Sequence, residues 1–346
     1  MDKVRVGIIG SGGIAQGQHM PAFAKQPSAE IVAVCDANET AAKDAAKKFS
    51  VPHVFSDYKQ MLKSNGLDAV SICTPNYLHA EPAIAALQAG IHVIVEKPIA
   101  MNAGEASAMV EAGRKAGRKL CVIQNHRFGA AGACMKRFTS AGDMGEMYFA
   151  KVTATRRRGI PGWGVFTQKD KQGGGPLIDI GVHALDLCLW LLGHPKPVAA
   201  SGQCYTKFGT RDGLVGLFGA WDPKIYTVED FAIGLVRFDN GSTLVLESSF
   251  AANIEHDVFN VEILGTDGGC QLSPLKMFRE ERQTLLDVTP VFLPQIPGHE
   301  TEIRLFVESI INDTAPPVPG EEALMTTKIL DAIYESSDAG REVAIS

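Results

Sequence analysis

Between Val4 and Asp36 the chain carries the pattern that leaves it the fewest ways to fold. Val4-Arg5-Val6-Gly7-Ile8-Ile9 reads as a strand buried on both faces, and Gly10-Ser11-Gly12-Gly13-Ile14-Ala15 follows it without a spacer as a tight turn into a helix. A second apolar run, Ile31-Val32-Ala33-Val34-Cys35, closes the unit and ends at Asp36. This is G-x-G-x-x-A inside a βαβ frame, and each small residue has a mechanical task. Gly10 permits the turn, Gly12 lets the backbone approach a pyrophosphate, and Ala15 lets the helix lie close to the strand. The pyrophosphate would sit on the helix-start N–H groups around Gly12, Gly13 and Ile14. The Asp36 carboxylate would accept hydrogen bonds from an adenosine ribose, which favours NAD over NADP, because a 2′-phosphate would face a like charge.

Further strands and helices alternate along the next hundred residues. Apolar runs at His53-Val54-Phe55, Ala69 to Cys73, His92 to Val95 and Leu120 to Ile123 are separated by helical patterns over about 37–49, 57–64, 80–89 and 102–117. Such alternation predicts an α/β fold, a doubly wound parallel sheet of the Rossmann type over residues 1–123. Ligands of such sheets bind beyond the carboxyl ends of the strands. Asp36, Thr74, Asn76, His79, Glu96, Lys97, Asn125 and Arg127 all fall at or just past those ends.

A chain of 346 residues has room for two domains of roughly 150 residues each. From residue 124 to 346 the pattern becomes that of an α+β domain with a large, mainly antiparallel open sheet. Long runs at 147–154, 231–238, 244–250 and 258–264 are joined by turns such as Asp239-Asn240-Gly241. Late helices at about 299–313 and 320–338 close the molecule, with packing of the last helices back on the first domain as the alternative. One face of the sheet is a candidate surface for a homodimer or homotetramer, or packs within the chain.

With a net charge of −6, the chain lacks the broad basic surface that nucleic acid binding needs. Arg156-Arg157-Arg158 is its one compact basic run, either a solvated loop face or a site for a phosphorylated substrate. The first strand starts at residue 4, leaving no room for a signal peptide. No apolar run approaches the ~20 residues of a membrane span. A cytoplasmic protein with no membrane partner is expected. Seven cysteines without a C-x-x-C pair and nine histidines without H-x-x-x-H or H-x-H spacing predict reduced thiols and no metal site.

Gly173-Gly174-Gly175-Pro176 leads into a helix from Leu177 to Leu192, stopped by Gly193. Its polar exceptions, Asp179, His183 and Asp186, are spaced i, i+4 and i+7 on one stripe. Burying charge without partners is costly, so the stripe faces a polar cavity or solvent, or Asp179 orients a buried histidine.

Taken together, Gly10 to Ala15, Thr74-Pro75-Asn76 with His79, Glu96-Lys97-Pro98, Asn125 with Arg127, and Asp179-x-x-x-His183 after a Gly-rich loop resemble the Gfo/Idh/MocA family of NAD(P)-dependent sugar and cyclitol dehydrogenases. The resemblance covers nearly the whole chain. It implies oxidation of a secondary hydroxyl of a sugar, sugar derivative or inositol, with Lys97, Asp179 and His183 as the catalytic group and a cis Lys97-Pro98 peptide. Asn125 is followed by His126 where the family more often has arginine, which leaves the role of His126 open. His183 is the candidate base because an imidazole titrates near neutrality. Asp179 would orient it, and Lys97 would steady the alkoxide and position the sugar; Lys97 is the alternative base. With Arg127, these three residues are the candidate substrate ligands. Trp163, in the Gly-rich loop before the helix, either stacks on a pyranose ring or packs. The rival readings are an NAD-dependent glycosidase with transient redox chemistry, a non-enzymatic dinucleotide sensor, and an imine or biliverdin-type reductase.

Overall fold

The computed structural model describes residues 3–64 and 66–346. The chain divides into two compact units, Met1–Phe128 with Pro297–Leu324, and Gly129–Ile296 with Met325–Ser346.

In the first unit six strands lie side by side: β1 Val4–Ile9, β2 Ala29–Cys35, β3 His53–Phe55, β4 Ala69–Ile72, β5 His92–Val95 and β6 Leu120–Val122. Their order is β3-β2-β1-β4-β5-β6, and every neighbouring pair is parallel. The connection reverses direction between β1 and β4, the point where such sheets hold a ligand. Val6, Ile8, Val70, Ile72, Val93 and Ile94 are fully buried, as a sheet covered on both faces requires. Side chains start the helices as their residue types predict. Asn38 accepts from Thr40 N and Ala41 N, Asp57 from Lys59 N and Asn102 from Glu105 N. The late helix Gly298–Ile311 adds Ile303, Phe306, Val307 and Ile310 to this core. Residues 124–128 and 297–324 therefore lie with the first unit, beyond the boundary at 123 that the sequence suggested.

The second unit is built on nine strands: β7 Met147–Thr155, β8 Pro197–Tyr205, β9 Phe231–Phe238, β10 Thr243–Ser249, β11 Val258–Gly265, β12 Gly268–Gln271, β13 Lys276–Glu281, β14 Thr284–Val288 and β15 Val343–Ala344. They run in the order β14-β13-β12-β11-β7-β10-β9-β8-β15. Only β7 and β10 pair in parallel; the other neighbours are antiparallel. Burial alternates along β9 and β10, so one face packs and the other is partly open. Leu177, Ile178, Leu185, Cys188 and Leu189 form one core with Val152, Val236, Leu246 and Val261.

The helix supplying the first five of these residues is not regular. Leu177–Gly181 is a π turn, and the α-helix proper is Val182–Leu192. Likewise the helix after the glycine loop opens with a π turn, Ala15–His19, before Met20–Ala24. A period of 3.6 read from sequence does not reveal one inserted residue. Against the expectation that no apolar run reaches membrane length, Lys169–Leu192 is long and apolar enough by composition, and 83% of its apolar window is buried inside the unit. All seven cysteines are free.

Residues 206–230 hold only one short 3-10 turn, Pro223–Ile225, yet their start is fixed. The fully buried Asp230 accepts three backbone N–H groups through Oδ2, from Lys207 (2.7 Å), Phe208 (2.5 Å) and Gly209 (2.9 Å). Asp230→Ala would strand those donors, at a cost of about 2–4 kcal/mol. We expect urea unfolding to report that loss and limited proteolysis to cut first between residues 206 and 226; wild-type resistance there would contradict the anchoring role.

Candidate active site

The glycine loop has one position that admits no side chain. Gly10 has φ +88°, and a Cβ there would lie 2.9 Å from the Cys73 carbonyl and Thr74 N. At Gly12 and Gly13 a side chain would instead project into open space, and Ile14 is exposed. The loop thus leaves a clear approach to the first turn, which fits a dinucleotide pyrophosphate. Asp36 holds the loop from the next strand. Its Oδ2 accepts from Ser11 N (2.8 Å) and Ser11 Oγ (3.0 Å), and its Oδ1 from Asn38 N (2.9 Å).

At the ends of β4 and β5 the polar residues brace one another. His79, fully buried, sets its ring between two carbonyls, Nδ1 at 2.8 Å from Pro98 O and Nε2 at 2.8 Å from Thr74 O. Burial lowers its pKa against the pull of those carbonyls. His79 therefore ties the Thr74 turn to the Lys97-Pro98 segment, whose peptide is cis. Thr74 Oγ1 donates to Leu78 O (2.9 Å), closing the turn that carries the buried Asn76.

Glu96 was expected to face the cofactor, but it is buried in an ion pair. His19 Nε2 donates to Glu96 Oε1 (2.7 Å), His19 Nδ1 donates to Ser71 Oγ (2.8 Å), and Glu96 Oε2 accepts from Lys97 N (3.1 Å). Burial opposes charge on His19, yet Cys73 and Glu96 beside it raise its pKa. Burial likewise opposes the Glu96 carboxylate, and His19 more than offsets it. The His299 ring lies 6.4 Å from that of His19. Burial, then the charges of His299 and Lys97, lower His126 to about 4, so it is neutral at pH 7. Reasoning from sequence passed over His19 and His299; a lone polar residue on the buried side of the fingerprint helix was the available signal for His19.

Asn125 begins a 3-10 turn, Asn125–Arg127, pinned where Gln124 N donates to both oxygens of the fully buried Glu302. Arg127, expected to bind substrate, is 1% exposed and pairs with Glu322. Its guanidinium serves the packing of the first unit.

In the second unit, the start of the 177–192 helix is fastened by a residue no motif pointed to. Glu229, buried, accepts from Gly175 N (2.9 Å), Leu177 N (3.1 Å) and Tyr334 Oη (2.8 Å). Burial raises its carboxyl pKa and the hydrogen bonds pull it back. Gly175 is obligatory here, because a Cβ would sit 2.2 Å from Glu229 O. Asp179 lies buried in the π turn, while His183, in the first α turn, is only half-buried; Asp186 is 1% exposed. The polar stripe therefore opens at His183 and closes toward Asp186.

Arg156 sits near this helix: burial lowers its pKa, and the Asp179 and Asp257 carboxylates counter that. Of the three consecutive arginines Arg157 is exposed and Arg156 and Arg158 are half-buried, and each also ties down a loop carbonyl. Arg156 Nη1 donates to Gly159 O, Arg157 Nη1 to Glu255 O and Arg158 Nη1 to Ala252 O. Trp163 is 57% exposed, against Phe218 and Phe166.

Comparison with known proteins places the chain. Residues 4–124 match the oxidoreductase family with an NAD-binding Rossmann fold, and residues 133–271 match the GFO/IDH/MocA C-terminal domain. A D-glucoside 3-dehydrogenase of Escherichia coli K12 is 36% identical, over 99% of this chain and 97% of that protein. A levoglucosan dehydrogenase of Pseudarthrobacter phenanthrenivorans is 30% identical, over 83% of this chain and 76% of that protein. The solved structure of a levoglucosan dehydrogenase with NADH and levoglucosan superimposes with TM-score 0.87 at 25% identity, covering 99% of both chains.

The His19–Glu96 pair should behave as a buried ion pair. His19→Leu would leave Glu96 unpaired at a cost of about 3–5 kcal/mol, and His19→Leu with Glu96→Leu would lose less than the single change. Because Glu96 is depressed below its ordinary 4.5, its share of stability is present above that value and is lost in acid. Because His19 is raised above 6.5, its share is present below that value and is lost as pH climbs past neutrality. Urea unfolding across pH checks both; a single variant no worse than the double would rule the pair out.

Proposed function

The chain belongs to the Gfo/Idh/MocA family and is an NAD-binding oxidoreductase acting on CH–OH groups of sugars, and from that premise we propose that it oxidises a secondary ring hydroxyl of a D-glucoside. The observation that carries the substrate class is similarity along 99% of the chain to a D-glucoside 3-dehydrogenase.

Gly10, Gly12, Gly13 and Ile14 would hold the pyrophosphate of the dinucleotide, with Asn76 and Asn125 beyond the neighbouring strand ends. When bound, the nicotinamide supplies the hydride acceptor. Asp36, a carboxylate at the end of β2, supports NAD over NADP, since turning from Ser11 to a ribose keeps its acceptor role. Glu96 and His79 act from behind, fixing the backbone of Lys97 and Pro98.

Removing hydride from a carbinol requires that its hydroxyl proton leave. His183, half-buried at the open end of the stripe, takes that proton as general base. Asp179, one turn earlier, orients it. Lys97 donates to the oxygen and stabilises the alkoxide that develops.

Wild-type protein should release NADH from NAD and methyl D-glucosides, with NADP poorer. His183→Ala should lower kcat by roughly 10²–10⁴ while NADH binding, followed by fluorescence titration, changes little. Full turnover in that variant would sink the base assignment. Cleavage of the glycoside with no net NADH would favour the redox-assisted glycosidase instead.

A further inference from the structure

In the second unit two irregular loops are locked to each other. Leu217 N donates to Arg158 O (2.9 Å) and Gly162 N to Phe218 O (3.0 Å). Asp230 holds the start of the longer loop, and Trp221 Nε1 closes it on Gly209 O (2.7 Å). On this fixed frame the Trp163 ring stacks on Phe218, with centroids 6.1 Å apart and planes 29° apart, and meets Phe166 edge-on. Trp163 nonetheless stays more than half exposed. An indole packed against two other rings on a hydrogen-bonded loop frame, with more than half its surface exposed, offers a face on which a flat apolar group can stack.

Its position relates it to the chemistry. The Arg156 guanidinium lies 4.9 Å over the Phe218 ring and 5.7 Å from that of Phe250. Arg156 also feels the charge of Asp179. Arg156, Phe218 and Trp163 thus form one series of neighbours ending at the exposed indole, and Arg156 lies within electrostatic range of Asp179 on the polar stripe of the helix. A substrate hydroxyl handled at Asp179 and His183 would leave the far part of a longer molecule in reach of the aromatic pair. Free monosaccharides and inositols have no such part.

We propose that Trp163 and Phe218 form a subsite for the aglycone of a glycoside, selecting substrates whose aglycone presents a flat apolar face. This rests on the reading of the protein as a glucoside dehydrogenase. Stacking on one indole face is worth about tenfold in specificity.

The test compares kcat/KM for phenyl and methyl D-glucopyranosides of matched anomeric configuration, with NAD, in the wild type and in Trp163→Ala, Trp163→Phe and Phe218→Ala. We expect the wild type to favour the phenyl glucoside of one anomer by about tenfold or more. Trp163→Ala and Phe218→Ala should bring that ratio close to one, and Trp163→Phe should keep most of it. A misfolded variant lowers both rates and leaves the ratio in place, which would count against the subsite. Glucoside oxidation without phenyl preference in the wild type, or a preference that survives Trp163→Ala, overturns the subsite alone. No NADH from any glucoside overturns the functional reading and the subsite with it.

Discussion

Burying a carboxylate is costly unless hydrogen bonds or a counter-charge cover its oxygens, and in both units carboxylates that are buried or half-buried accept backbone N–H groups and so brace the chain around them. Glu96 takes the N–H of Lys97 and the charge of His19. Glu302 takes the N–H of Gln124, and Asp36 those of Ser11 and Asn38. In the second unit Glu229 takes the N–H groups of Gly175 and Leu177, and Asp230 takes three more on Oδ2 alone, its buried Oδ1 having no hydrogen-bond partner among the described residues. Glu96, Asp36, Glu302 and Glu229 thereby fix the backbone at or beside Lys97, the glycine loop, Asn125 and the start of the helix bearing Asp179. Such support is what keeps a catalytic group in place before substrate arrives.

The helix after the glycine loop and the helix bearing Asp179 and His183 both begin with a π turn, Ala15–His19 in the first unit and Leu177–Gly181 in the second. A π turn shifts the carbonyl partner by one residue and leaves backbone oxygens to be satisfied from elsewhere. Ser248 Oγ meets this need at Pro176 O (2.8 Å). In return the wide turn carries a polar residue inward, His19 in the first case and Asp179 in the second. Isolated π turns of this kind are frequent at functional sites.

Much of the first unit was legible because its signals are local. Strand–glycine–helix order, Asn and Asp caps and continuous apolar runs each depend on neighbours a few residues apart, so β1 to β6 fall where the sequence put them, within a residue or two. In the second unit the runs at 231–238 and 258–264 alternate clearly, whereas the parallel pairing of β7 with β10 does not follow from them. The residues around the site divide in the same way. Gly10 was readable because its turn demands positive φ, whereas Arg127 and Glu96 were read as ligands from their place at strand ends and from the motifs they share with the family. Their burial is set by partners 195 and 77 residues away in sequence.

What the sequence determined by itself is therefore what short-range sterics and periodicity control: a parallel sheet with a pyrophosphate-ready turn, an open sheet after it, and an apolar helix bearing Asp179 and His183. Tertiary structure alone decided which polar groups hold the frame and which stay open. A carboxylate or an imidazole reads the same in sequence whether it ends up against a distant N–H or against solvent. That outcome depends on desolvation and on partners brought together only by folding, as with His19 on Glu96, Glu229 under Gly175, and Trp163 left exposed on Phe218.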